Sequence, residues 1–413
     1  MQRIYILFSI TLFSLISYAQ EKKEVTPPYY LRSIIFTGAT DEQFPVITLS
    51  ETATLQFDDI DAQEADYYYK IVHCNYDWTP SNLNKSQYLN GVDDQRIIDY
   101  SNSFTTLQPY SHYTLTIPNN RTKLTITGNY MLEIYNDYDE LMFSRRFVVY
   151  KPAHAVEVNI KRSRDLNYTY TKQVVQLGIK NTTNIINPQE QLKTVILQNY
   201  NWNTAIYNIK PQYTLGDELI YKYDQETAFW AGNEYYFFDN NNIRISGNGV
   251  LKIELKDIYH SYLYPAERRS EKPYTYYPDI NGDFEVNTLN GRNNETEAEY
   301  AFVHFFLENE PSLADKDIYV YGKFNNYEFT DENKLTMNKE TGVLESTMLL
   351  KQGFYNYKFV TIDNSETIDY NNIGGNFYQT ENDYMVLVYY RGYGDLYDSL
   401  IGVGYGSSQN ITN

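Results

Sequence analysis

The sequence is poorest in cysteine. Among 413 residues there is one, Cys74, so no disulfide can form within the chain and the small stapled scaffolds of many exported proteins are excluded. Histidine is scarce as well. The five are His73, His112, His154, His260 and His304, and no two stand at the His-x-x-x-His spacing of a helical zinc site. There is no Gly-x-Ser-x-Gly elbow, no phosphate-binding loop and no dinucleotide fingerprint. Beyond the first twenty residues no apolar run approaches the roughly 18 residues of a membrane-spanning helix. Sustained 3.6-residue periodicity is also missing, which argues against a helical bundle. Basic residues are outnumbered, 34 Lys and Arg against 53 Asp and Glu, for a formal charge of −19. A chain this acidic is a poor partner for nucleic acid or an anionic membrane face, both of which need clustered Lys and Arg.

What is abundant is tyrosine, 45 in all. Tyrosine favours strands and is enriched at interfaces, where it offers a large ring and a polar tip. Short runs such as "LRSIIFTG", "YTLTIP" and "KQVVQLGIK" are rich in Ile, Val, Thr and Tyr and are bounded by Gly, Pro, Asn and Asp. This is a strand pattern. "KLTITGNYMLEIYN" and the run after it read as two strands about a turn at Asn136–Asp139, and "PSNLNKSQYLNG" suggests a single helical turn. At the start, Arg3, an apolar stretch from Ile4 to Ser17 and the small residues of Ser17-Tyr18-Ala19 compose an export signal over residues 1–19, with cleavage after Ala19. Gln20, not a cysteine, stands directly after that point, so lipid attachment is not expected.

The remainder divides at "YKPAHAVEVNI" and at the polar stretch "NTLNGRNNETEAE". The expected layout is three β-sandwich domains in series, over residues 20–152, 153–292 and 293–413. The expected fold class is all-β, with tandem immunoglobulin-like or early-set sandwiches.

Few residues invite a chemical reading. "HCNYDW" places His73, Cys74 and Asp77 together, but neighbours on a strand point to opposite faces, so the thiol and imidazole should not meet. Cys74 reads as a buried structural cysteine. "DINGDFE" sets Asp279, Asn281 and Asp283 at the spacing of the first calcium ligands. The glycine comes one place early and the twelfth position is Asn290 rather than Glu. A hairpin turning at Asn281-Gly282 fits better. The sequence thus yields no catalytic residue, no metal ligand set and no cofactor site.

"YVYGKFNNYEF" and "LKQGFYNYKF", within Tyr319–Phe359, resemble a starch- or glycogen-binding module. Such modules stack sugar rings on two aromatic faces. Tyr327 stands at the first position; near the second stand Val343 and Leu344. The resemblance implies an early-set sandwich, and as an alternative function a secreted or surface carbohydrate-binding protein with Tyr327 as its stacking residue.

A wider resemblance covers nearly the whole chain. It is carried by "YYYKIVHCNYDWTPSNLNKSQYLNG", "SRRFVVY", "LQNYNWNTAIYN", "FWAGNEYYFFDN", "AEYAFVHFFL" and "NFYQTENDYMVLVYY". These strings are similar to the plug proteins of the type IX secretion system. Two departures are Gly374, where the family pattern suggests Glu, and Leu396, where it suggests Arg. The resemblance implies a periplasmic, non-enzymatic subunit, peripheral at the inner face of the outer membrane. Its partner would be the giant β-barrel translocon, whose periplasmic opening it seals when no substrate is engaged. It also implies no cofactor and no small-molecule ligand.

Overall fold

The computed structural model describes residues 20–40, 44–182, 185–409 and 411; the expected export signal lies outside the described residues. The chain first runs through β1 (Leu31–Thr37), β2 (Val46–Thr48), β3 (Ala53–Asp59), β4 (Tyr68–Cys74), β5 (Asp99–Asn102), β6 (Ser111–Ile117), β7 (Gly128–Tyr135) and β8 (Leu141–Tyr150). There follow β9 (Val156–Arg162), β10 (Lys172–Lys180), β11 (Leu192–Gln198), β12 (Asn201–Tyr207), β13 (Tyr213–Leu215) and β14 (Glu218–Tyr221). The rest supplies β15 (Tyr236–Asp239), β16 (Val250–Leu255), β17 (Tyr259–Leu263), β18 (Phe284–Val286), β19 (Tyr300–Leu307), β20 (Lys316–Tyr321), β21 (Leu344–Lys351), β22 (Gly353–Asp363), β23 (Asp383–Tyr390) and β24 (Ser399–Ser407). The expected helical turn is present at Lys85–Tyr88.

Four sheets stack in sequence, in the orders β1-β3-β6-β5, β2-β8-β7-β4, β12-β11-β23-β24 and β9-β10-β14-β13. Strand alternation explains the stacking. On β7, Tyr130, Leu132 and Ile134 enter the core shared with the first sheet. The intervening Met131 faces the other way and joins Cys74, Trp78 and Val148. On β11, Val195 and Leu197 meet this second core while Leu192 and Ile196 enter a third. On β23 the division is Met385, Leu387 and Tyr389 against Tyr384, Val386 and Val388. The uninterrupted apolar run of β23 is therefore what a strand buried on both faces requires. Each fully buried side chain of this size contributes about 1.5–3 kcal/mol. Among the polar contacts that cross the second core is one from the Tyr389 hydroxyl to Asn129 Oδ1 at 2.6 Å.

The remaining sheets form a further sandwich. One is β15-β22-β18, with β20 also on β22; the other is β16-β17-β19-β21. Val303, Phe305, Met348, Tyr355 and Phe359 fill the space between them.

This arrangement corrects the expected boundary at residue 292. Strands β15 and β17 precede it, yet they pair with β22 and β19 respectively, which follow it. Conversely β23 lies in the expected third domain but pairs with β11 in the second, from Leu192↔Tyr390 to Gln198↔Tyr384. The polar stretch near 292 is a surface crossing holding one helical turn, Asn294–Glu297. Polarity marks exposed loops, and a loop need not separate two cores.

Candidate functional site at the three-way junction

His73 and Cys74 lie on opposite faces of β4, as alternation requires. His73 sits within hydrogen-bond distance of Ser81 Oγ at 2.9 Å and the Thr127 carbonyl at 3.2 Å, and burial pushes its pKa down to about 4. Cys74 is enclosed by the second core, where burial pushes the thiol up to about 12. A thiol held protonated is not a nucleophile. Asp77 accepts from the Thr79 hydroxyl at 2.6 Å and so shapes its own turn.

Asp279 is likewise spent on backbone, accepting from the Asn281 N–H at 2.8 Å and the Tyr235 N–H at 2.5 Å. Asn281 and Gly282 do turn the chain, with φ of 55° and 86°. The expected hairpin is absent, however: no strand precedes the turn, and β18 after it pairs with β22. Among the described residues no three His, Cys, Asp or Glu side chains converge as a metal site.

Tyr327 is not an open platform. It is 6% exposed, and its ring packs 5.1 Å from that of Tyr321. Asn203, on β12, donates to the Tyr327 carbonyl at 3.1 Å. The residues that resemble a sugar-binding motif build the turn itself. Asn325 Nδ2 donates to the Val320 carbonyl at 2.9 Å, and its Oδ1 accepts from the Gly322 N–H at 3.2 Å. A Cβ at Gly322 would stand 2.8 Å from the Asn356 carbonyl oxygen, which explains the glycine. Leu344 packs against the core of the same sandwich.

Tyr327 instead lines a cavity of about 250 Å³ where the three parts of the molecule meet, together with Glu24, Arg145, Arg146, Trp202 and Lys323. An extended N-terminal arm crosses it. Val25 donates to Ser144 Oγ at 2.8 Å, and Ser144 returns its N–H to the Val25 carbonyl at 3.3 Å. Glu24 accepts from the Arg146 N–H at 2.6 Å with one oxygen and from Asn326 Nδ2 at 2.9 Å with the other. Burial alone would raise the Glu24 pKa, but Arg145, Arg146 and these hydrogen bonds hold it below the usual carboxylate value. The Arg146 guanidinium binds Glu21 at 2.9 Å and lies over the rings of Trp78 at 4.5 Å and Trp202 at 5.4 Å. Those two indoles meet edge to face at 4.9 Å. Residues from the arm, β8, β12 and the turn after β20 are thus tied at one point.

A second buried node joins the first part to the last. Asp58 on β3 binds Lys351 Nζ at 2.7 Å, His112 Nδ1 at 2.6 Å and the Tyr300 hydroxyl at 2.7 Å. Lys351 also donates to the Glu295 carbonyl at 2.8 Å and lies over the Tyr110 ring at 4.1 Å. Burial pushes Asp58 upward, but Lys351 and His112 outweigh it and keep the carboxyl below its ordinary range. Removing one partner of such a pair costs about 3–5 kcal/mol. Nothing in the sequence singled out Glu24, Arg146, Asp58 or Lys351, because a charged residue on a strand or an extended arm reads as solvent-facing until its neighbour is known.

Stacked β-sandwiches locked by buried charge define the class of protein this is. Within it, residues 31–151 match the model of the type 9 secretion system plug protein 1st domain. The chain is also similar to a hypothetical protein from Parabacteroides merdae of solved structure, at 30% identity and a TM-score of 0.88 over 94% of this chain and 100% of that one. No curated protein matches it. The chain belongs to the type 9 secretion system plug protein family and is a secretion-associated β-protein.

Proposed function

We propose that the protein is the gate of the type 9 translocon, closing the periplasmic mouth of the outer-membrane barrel whenever no substrate occupies it. The observation that carries this reading is the plug-family match over residues 31–151. The architecture supports it. A steric cover must be stiff, and the sheets are joined by shared cores and by the Arg146 and Asp58 nodes. Among the described residues no helix is long and apolar enough to cross a membrane. On this reading the gate covers the opening from the periplasm. No step of this function needs catalysis. The junction cavity and its charges serve assembly, and the buried Tyr327 gives the carbohydrate reading no support.

Deletion should leave the barrel assembled and the outer membrane more permeable to large antibiotics. Barrels isolated through a tagged gate should be free of cargo, because both occupants need the same opening. Unchanged permeability, or abundant cargo in the tagged complex, would refute the proposal.

A further inference from the structure

Strand β22 alternates across its sandwich. Tyr357 and Phe359 enter the core, so Lys358 between them points to the other face. There it stands opposite Tyr321 on β20. Its Nζ lies 5.5 Å from the ring centre of Tyr370, 5.6 Å from that of Tyr235 and 5.7 Å from that of Tyr321. Those distances are near the outer limit of cation–π attraction, about 6 Å. Among the described residues Lys358 forms no ion pair and donates no hydrogen bond. It borders a cleft of about 170 Å³ between the middle strands and the last sandwich, walled also by Asn199, Asn201, Trp230, Tyr370 and Asn371. The amide oxygens nearest in the chain are in use: Asn199 Oδ1 accepts from the Asp383 N–H at 2.9 Å, and Asn201 Oδ1 from the Asn203 N–H at 2.9 Å. The residue is mostly buried, yet it is not sealed from solvent.

An ammonium without a carboxylate or an acceptor is poorly supported in such a place. Burial pushes the amine down to about 8, with Asp369 drawing it the other way. The facing tyrosines Tyr235, Tyr321 and Tyr370 are raised by burial and stay neutral at that pH. We propose that Lys358 is a nucleophilic amine and that the cleft beside it is a site for small aldehydes, which it captures as an imine. The nitrogen lone pair forms a bond to the carbonyl carbon, and one nitrogen proton passes to the carbonyl oxygen. The carbinolamine then loses that hydroxyl with the second nitrogen proton as water, leaving C=N. No oxidant, reductant or further reactant is consumed. At pH 7 about a tenth of an amine of this pKa is neutral, roughly 200-fold more than for an ordinary lysine. The cleft sets the class of partner: it admits an aldehyde of a few carbons and is too small for fused rings.

The test treats the full folded chain at pH 7 with propanal and cyanoborohydride, which fixes the imine as a secondary amine, and maps every lysine by mass spectrometry. Lys358 should be labelled about tenfold faster than the exposed lysines, since its lower basicity gives back part of the gain in neutral amine. Naphthaldehyde in place of propanal should show no such preference, and unfolding in urea should erase it. Trace acetylation across the alkaline range should titrate Lys358 with a midpoint of about 8, against about 10.4 for exposed lysines. Propanal labelling at Lys358 no faster than elsewhere, a midpoint with the exposed lysines, or a preference that survives in urea or extends to naphthaldehyde would overturn the assignment.

Discussion

Glu234 carries the molecule's most informative acid. Burial pushes its carboxyl up to about 7, with Asp279 and Glu381 adding repulsion and the Tyr274 hydroxyl donating to it. Asp279 is pushed up to about 6, again by burial first. A folded-state pKa above the unfolded one gives stability that is full at low pH and lost as pH rises through the folded value. The window for this pair runs from about pH 4 to 7. We expect the unfolding free energy from urea titrations to fall between pH 5 and 8 by an amount on the order of 1–3 kcal/mol, lowering the midpoint with it, and Glu234→Gln to flatten that fall. A midpoint that stays level, or a slope untouched by the substitution, would contradict this. Asp58 and Glu24 act oppositely: their lowered values make their contribution vanish as the solution is acidified well below pH 4. At this scale the sequence was partly legible. Alternation along β4 separated His73 from Cys74, whereas the environment of Glu234 is assembled by residues far from it in sequence.

The elements show a constraint that composition hides. On β24, Gly402, Gly404 and Gly406 form a stripe under β9. A Cβ built on Gly404 would lie 2.7 Å from Val156 Cγ1 and 2.8 Å from the Val156 carbonyl oxygen. The side chain could turn away, but the carbonyl is backbone and cannot. Gly404→Ala should therefore cost about 1–3 kcal/mol, seen as a lower melting temperature. A melting temperature equal to the parent's would show that β9 and β24 can separate without cost. A glycine inside a strand ordinarily weakens it. These three are close approaches, and only the crossing of a second sheet reveals it.

For the whole molecule, the second core is decisive. Met131, Cys74, Trp78 and Val148 belong to the first part, but their covering comes from Val195, Leu197, Met385 and Leu387. Expressed alone, residues 31–151 should expose that face, bind the dye ANS and associate, whereas the full chain should unfold in one cooperative transition. A fragment that is monomeric, dye-free and as stable as the full chain would show that the stacking is incidental.

By itself, the sequence determined the all-β class, the turn at Asn281-Gly282, the single helical turn at Lys85–Tyr88, and family membership. Those follow from local rules: side-chain alternation, the glycine and asparagine needed at positive φ, and long strings of matching residues. The tertiary structure alone decided which strands pair. Backbone hydrogen bonds are the same for any partner, so β23 carries no local sign that it will join β11 rather than the sandwich around it. Packing on its two apolar faces makes that choice. The same holds for Asp58 and Lys351, 293 residues apart: each reads as a surface charge, and burial is tolerable only because the fold delivers the other.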